Sequence, residues 1–206
     1  KKINIDIFVP KDKKATKPKE EKHTIDTIVL DAGHGGKDPG ACVKHCKIQE
    51  KNITLAITKK IGDILTKKHN MNVIYTRTDD RFITLRNRTK IANDNNAKLF
   101  ISIHVNSIDN SPKTKGFETY FLTFDKSEDA KSEVEKRENS VVPEYETNIE
   151  NPEVINKINA EILHYKYLEG SKELAGLIQE ELENMFNKKL NRGVKQAGFQ
   201  VLWGAT

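Results

Sequence analysis

Thr27-Ile-Val-Leu30 runs directly into Asp31-Ala-Gly-His-Gly-Gly36, and few junctions leave a chain so little freedom. A short β-branched run ended by glycines is a strand meeting a tight loop. That loop lifts one imidazole, His34, off the strand's carboxyl end. A second histidine, His104, closes the apolar run Lys98-Leu-Phe-Ile-Ser-Ile-His104 in the same manner, and between them Glu50 opens a long amphipathic stretch. A fold that accommodates all three must line up strand ends along one edge.

The spacing of apolar residues supplies such a fold. It predicts a strand over 27–31 and a helix over about 50–68, with Ile53, Ala56, Ile57, Ile61, Ile64 and Leu65 on one face. A strand at 72–76, a helix at about 84–96 using Leu85, Ile91 and Ala92, and strands at 98–104 and 116–122 follow. Strands alternating with helices of this length imply βαβ units. The expected class is therefore α/β: three layers, a mostly parallel twisted sheet flanked by helices. Right-handed crossovers bring strand carboxyl ends to one edge, where open α/β sheets place their sites.

Two stretches break the rhythm. Residues 1–26 read as a linker or tether, in which Lys2 to Val9 alternates like a strand and Pro10 to Lys22 is too rich in lysine and proline to pack. That first strand could be the end of an upstream domain. An insertion near 124–170 is helix-prone but nearly free of apolar residues over Ser127 to Ser140, and without period from Pro143 to Pro152. A long helix is expected from about 153 to 187, and Arg192 to Trp203 reads as a loop leading into a strand.

The net charge of +5 at pH 7 does not identify a partner. Asp125 to Glu153 holds ten acids against four bases, so the remainder is basic mostly through scattered lysines. A nucleic-acid surface needs Arg/Lys interleaved with aromatics on one face, and no such stripe exists. A mildly basic body suits an anionic polymer such as cell wall equally well. No apolar run approaches the roughly 20 residues of a membrane helix. The opening Lys1-Lys2-Ile3-Asn4 has no signal-peptide pattern, and a mature or trimmed product is expected. Cys42, His45 and Cys46 resemble a metal motif but lack the second pair a structural zinc needs. A local disulfide or two free thiols is the favoured reading.

His34, Glu50 and His104 are the candidate metal ligands. Both histidines lie beyond strand carboxyl ends, and Glu50 stands at a helix start, where the dipole favours a carboxylate. Zinc takes neutral imidazole and carboxylate and leaves a position for water, whose pKa falls toward about 7. Asp31 is close enough in sequence to orient an imidazole from behind. Each residue alone has a plainer explanation: a phosphate-cradling turn for the glycine loop, a core or capping role for His104, a helix cap for Glu50.

The segment 27–122 resembles the zinc-dependent N-acetylmuramoyl-L-alanine amidases of bacterial cell-wall metabolism. The resemblance is carried by Ile28 to Ala41, Gln49-Glu-Lys-Asn-Ile-Thr-Leu-Ala56, Thr76-Arg-Thr-Asp-Asp80, Leu85-Arg-Asn-Arg88, Ile91-Ala-Asn93 and Leu99-Phe-Ile-Ser-Ile-His-Val-Asn106. It implies Zn2+ held by His34, Glu50 and His104, and hydrolysis of the amide joining N-acetylmuramic acid to L-alanine. It also implies a catalytic domain over 27–206 whose general-base glutamate is expected beyond Thr206, so that the sequence reads as truncated at its carboxyl end. Loss of a general base costs about 10²–10⁴-fold.

The insertion resembles that of the septal, cell-separating amidases, where a helix occludes the zinc until a partner with a LytM-like domain displaces it. By that likeness Glu133, Glu135 or Glu138 is a candidate autoinhibitory acid, against the plain reading of a solvated charged helix. Arg77, Arg86 and Arg88 are candidates for binding the stem peptide's carboxylates, with ion pairs inside the fold as the alternative. The resemblance implies peptidoglycan as substrate, a LytM-type activator, no nucleic acid, no membrane segment, and a periplasmic or secreted location. A non-catalytic wall-binding or regulatory module keeping the zinc fold is the competing function. A phosphate-binding protein is disfavoured by Glu50 and His104.

Overall fold

The computed structural model describes residues 25–43, 47–106, 115–123, 133–140, 154–203 and 205. The expected tether up to 24, His45 and Cys46, and the insertion's 124–132 and 141–153 lie outside the described residues. In chain order the elements are β1 (Thr27–Ala32), β2 (Cys42–Val43), β3 (Ile48–Gln49), α1 (Glu50–His69), β4 (Asn72–Tyr75), α2 (Leu85–Asp94), β5 (Leu99–Ile103) and β6 (Phe117–Leu122). They continue with α3 (Glu133–Asn139), α4 (Val154–Met185), a 3-10 turn at Lys188–Leu190, β7 (Asn191–Ala197) and α5 (Gln200–Trp203).

The architecture is the expected mixed α/β arrangement, parallel strands flanked by helices. β1 lies between β4 and β5, parallel to both, with Leu30 opposite Tyr75 on one side and Ile101 on the other. Every residue from Ile28 to Ala32 is buried, whichever face it points to. A strand buried on both faces needs a layer on each side, which is why Ile28, Val29 and Leu30 are apolar in succession rather than in alternation. β6 and β7 form a second, two-stranded parallel sheet, with a register shift between Phe117 and Thr119.

Two readings of the sequence are corrected. The buried stripe of α1 is Glu50, Thr54, Thr58 and Gly62, not the isoleucine face; Ile57 and Ile64 are 37% and 49% exposed. The cause is close approach. A Cβ at Gly62 would sit 1.9 Å from the Tyr75 hydroxyl, so only small residues fit where the helix crosses the sheet. The tail is also reversed: 191–197 is the strand and Val201 to Trp203 lie in a short helix. Only Val194 is a large apolar residue in β7, so its pairing with β6 decides the conformation rather than its own propensity.

Candidate metal centre

The loop after β1 is held by two buried arginines. Arg77 and Arg88 are each 2% exposed. From Arg77, Nε donates to the Ala32 carbonyl (2.9 Å) and Nη2 donates to the carbonyls of Gly33 (2.9 Å) and Lys51 (2.8 Å). Arg88 reaches the carbonyls of Ile83 (3.1 Å), Ala32 (2.8 Å) and His34 (2.9 Å) through Nε, Nη1 and Nη2. Its Nη1 also donates to Asp31 Oδ1 at 2.7 Å. These guanidiniums are engaged within the fold rather than offered to a peptide carboxylate: Arg88 takes the alternative expected for it, an internal ion pair with Asp31, and Arg77 is held by backbone carbonyls and the Thr54 hydroxyl. Arg86 is exposed on α2.

Asp31 is likewise placed differently from expectation. Its carboxylate accepts from Thr76 (2.6 Å), Ser102 (2.7 Å) and Arg88, and it touches no imidazole. Burial pushes its pKa up, but Arg88 and the two hydroxyls outweigh that and hold it below the usual carboxylate range. The imidazole of His34 is instead paired with Asp38, which sequence reading passed over: Nδ1 lies 2.8 Å from Asp38 Oδ2. An acid four residues beyond the histidine, across a glycine turn, was the available signal.

His34, Glu50 and His104 do converge. The start of α1 delivers Glu50 beneath the loop, where its carboxylate accepts from the backbone N–H groups of Ala41 (2.9 Å) and Val105 (2.6 Å). One oxygen lies 3.3 Å from His34 Nε2 and the other 3.4 Å from His104 Nδ1. The two rings meet edge to face with centroids 4.8 Å apart. Glycine makes this possible at Gly33, where a Cβ would fall 2.5 Å from the His104 ring.

α3 contributes the fourth group. Glu138 Oε2 is 3.4 Å from His34 Nε2 and 3.2 Å from His104 Nδ1. Of the three insertion acids, only Glu138 has such contacts; Glu133 is exposed, and Glu135 is buried against Gly198. α3 is fixed by Arg137 donating to Asn106 Oδ1 (3.0 Å) and by Asn139, which donates to the Gly198 carbonyl (3.0 Å) and accepts from Gln200 N–H (2.9 Å).

His34 Nε2 and His104 Nδ1 are buried and have no hydrogen-bond partner. Orphaned buried polar atoms are costly, about 1–3 kcal/mol each, and two aimed at one point between two carboxylates are the donor set a divalent metal satisfies. One ligand atom from each of His34, His104 and Glu138 lies within 4.8 Å of the others, a group able to hold a metal ion. Without one, the histidines would carry protons. Burial alone would lower both pKa values, yet the Asp38 and Glu50 carboxylates raise His34 to about 9, and Glu138 and Glu50 raise His104 to about 10. Glu50 is held far below its usual range: burial opposes this, and the two histidines prevail.

Known proteins share this framework. The chain is 48% identical over 93 residues to an endolysin of Bacillus phage SPP1, covering 45% of this chain and 32% of that protein. It is 32% identical over 192 residues to the N-acetylmuramoyl-L-alanine amidase AmiA of Salmonella typhimurium, covering 91% of this chain and 64% of the relative. It thus spans less than two thirds of either relative's length. The crystal structure of an N-acetylmuramoyl-L-alanine amidase from Clostridium difficile 630 superposes with a TM-score of 0.61 at 28% identity, over 88% of this chain and 74% of that one. The Amidase_3 family profile, N-acetylmuramoyl-L-alanine amidase, matches residues 28–206, and on this agreement of sequence and fold the chain belongs to that family.

Proposed function

We propose that this protein is a zinc hydrolase that cleaves the amide between N-acetylmuramic acid and L-alanine in peptidoglycan, with His34, Glu50 and His104 as its protein ligands. The observation that carries the reading is the pair of partnerless buried nitrogens, His34 Nε2 and His104 Nδ1, facing the Glu50 carboxylate. Bound zinc supplies a Lewis acid for the scissile carbonyl and a water of lowered pKa. The chain's own part is to hold the donors still. Two backbone N–H groups fix Glu50, and Arg77 and Arg88 clamp the carbonyls on either side of the His34 loop. The location that follows is extracytoplasmic, periplasmic or secreted to the cell wall; among the described residues no helix is long and apolar enough to cross a membrane.

We further propose that α3 is a gate. Glu138 occupies the side of the cluster that a substrate carbonyl would need, so hydrolysis requires its withdrawal. A LytM-type activator acting on the insertion during daughter-cell separation would supply that displacement. The contact between Glu138 and both histidines supports this assignment over Glu133 and Glu135.

Elemental analysis of purified protein tests the metal, and dye release from labelled sacculi tests the reaction. One zinc per chain with dye release is expected. His34→Ala should abolish both while leaving the circular dichroism of the fold intact. Zinc retained by His34→Ala would refute the ligand assignment, and zinc bound without dye release would favour the non-catalytic wall-binding module.

A further inference from the structure

We infer that Asp38 is the positioning residue that selects which nitrogen of His34 is offered to the metal. This rests on the zinc reading above. A neutral imidazole has one N–H and one lone pair, and a ligand presents only the lone pair. Both nitrogens of His34 face carboxylates, but only Nδ1 is within close hydrogen-bond distance of one, 2.8 Å from Asp38 Oδ2, which can only accept. Buried Nε2 stands 3.3 and 3.4 Å from Glu50 and Glu138 without a hydrogen bond to either. Asp38 therefore keeps the proton on Nδ1 and the lone pair on Nε2.

The turn that brings Asp38 to this point is built around the ring. Gly35 and Asp38 exchange backbone hydrogen bonds, Gly35 N–H to Asp38 O at 2.9 Å and Asp38 N–H to Gly35 O at 3.1 Å. Asp38 Oδ1 accepts from Gly40 N–H at 3.1 Å, which fixes the carboxylate while Oδ2 holds the imidazole. Gly40 has φ +65°, and a Cβ there would lie 2.5 Å from His34 Cδ2, so the turn closes directly over the ring. His34 itself has φ 61°, a left-handed conformation that non-glycine residues rarely adopt. A residue persists there when its surroundings over-determine it, and Asp38 on the side chain with Arg88 on the carbonyl does so. Asp31, the nearer acid in sequence, is spent on Arg88 and two hydroxyls and is not available for this task.

Carboxylates that orient metal-binding imidazoles change affinity by about 10–100-fold when removed. Zinc affinity of the full chain, measured by competition with a chromophoric chelator, is expected to weaken by that factor in Asp38→Ala. Asp38→Asn keeps an acceptor oxygen without the charge and is expected to fall between wild type and Asp38→Ala. Long-range proton–nitrogen spectra of the metal-free protein at alkaline pH, where the rings are neutral, report the tautomer directly. Wild type is expected to hold Nδ1–H at His34, Asp38→Ala to gain Nε2–H and Asp38→Asn to show both tautomers; a purely structural role for Asp38 would not move this signal. If Asp38→Ala does not fold, Asp38→Asn carries both measurements. Unchanged zinc affinity and an unchanged tautomer in a folded variant would overturn the inference. Absence of zinc from wild type would instead overturn the metal reading, and the tautomer spectrum would still decide the part played by Asp38.

Discussion

Arg88→Met is the perturbation that best tests how the fold holds the site. The substitution keeps much of the side chain's length and removes its charge. Asp31, completely buried, then loses its one ion-pair partner among the described residues, with Thr76 and Ser102 left as hydrogen-bond donors. Breaking a buried pair from one side costs about 3–5 kcal/mol. The carbonyls of Ile83 and His34 lose a donor as well, while that of Ala32 keeps Arg77. In a chain of 206 residues each kcal/mol moves Tm by roughly 2–4 °C, so Arg88→Met should lower Tm by about 6–20 °C. Adding Asp31→Asn removes the stranded charge and should recover about 1–3 kcal/mol. The pH dependence follows from the sign of the Asp31 shift. Its folded pKa is depressed, so it contributes stability above the unfolded value of about 3.9, and this is lost as pH falls through the folded one. Without Arg88 the same carboxyl is free to protonate, and the gap between variant and wild type should narrow in acid. Urea and thermal unfolding followed by circular dichroism give these numbers. A cost under about 1 kcal/mol at neutral pH, or a double variant no more stable than the single one, would refute the claim that this pair anchors the His34 loop.

Glu138→Ala is expected to raise dye release from sacculi in the absence of any activator, as should deletion of about 126–150; an unchanged rate in both would dismiss the gate. Metal uptake near pH 7.5 should expel about two protons, because His34 and His104 are raised to about 9 and about 10 and must be neutral to ligate. Calorimetry in buffers of different ionisation enthalpy counts them, and a value near zero would contradict the raised pKa values. Gly33→Ala should weaken zinc binding by displacing the His104 ring, 2.5 Å from the new Cβ; zinc affinity equal to wild type would show that the ring has room to shift.

What the sequence disclosed and what it hid divide along physical lines. β1, β4, β5 and the two helices between them were legible because each is a dense apolar or periodic run bounded by glycine, asparagine or threonine; Asn70 in the left-handed region ends α1, and Thr84 caps α2. The convergence of His34, Glu50 and His104 was legible because parallel topology fixes which strand ends are neighbours. The buried face of α1 was not, since helical periodicity finds the greasiest stripe, while close packing on a sheet selects the smallest one, here Thr54, Thr58 and Gly62.

The arginines and aspartates show the deeper reason. Arg77 and Arg88 look in sequence like surface cations suited to a carboxylate ligand, and nothing in their spacing reveals that the carbonyls of Ala32, Gly33, His34, Lys51 and Ile83 await their donors. A loop that turns three successive residues to positive φ, His34, Gly35 and Gly36, cannot satisfy its carbonyls by regular pairing. Buried guanidiniums are the side chains with enough donors to do it. Arg88 in turn pairs with Asp31, and once Asp31 is so committed, the task of orienting His34 falls to an acid on the far side of the turn. The assignment of Asp38 is thus a consequence of the loop's backbone geometry, which makes the left-handed turn, the buried ion pair and the unpartnered Nε2 of His34 parts of one device.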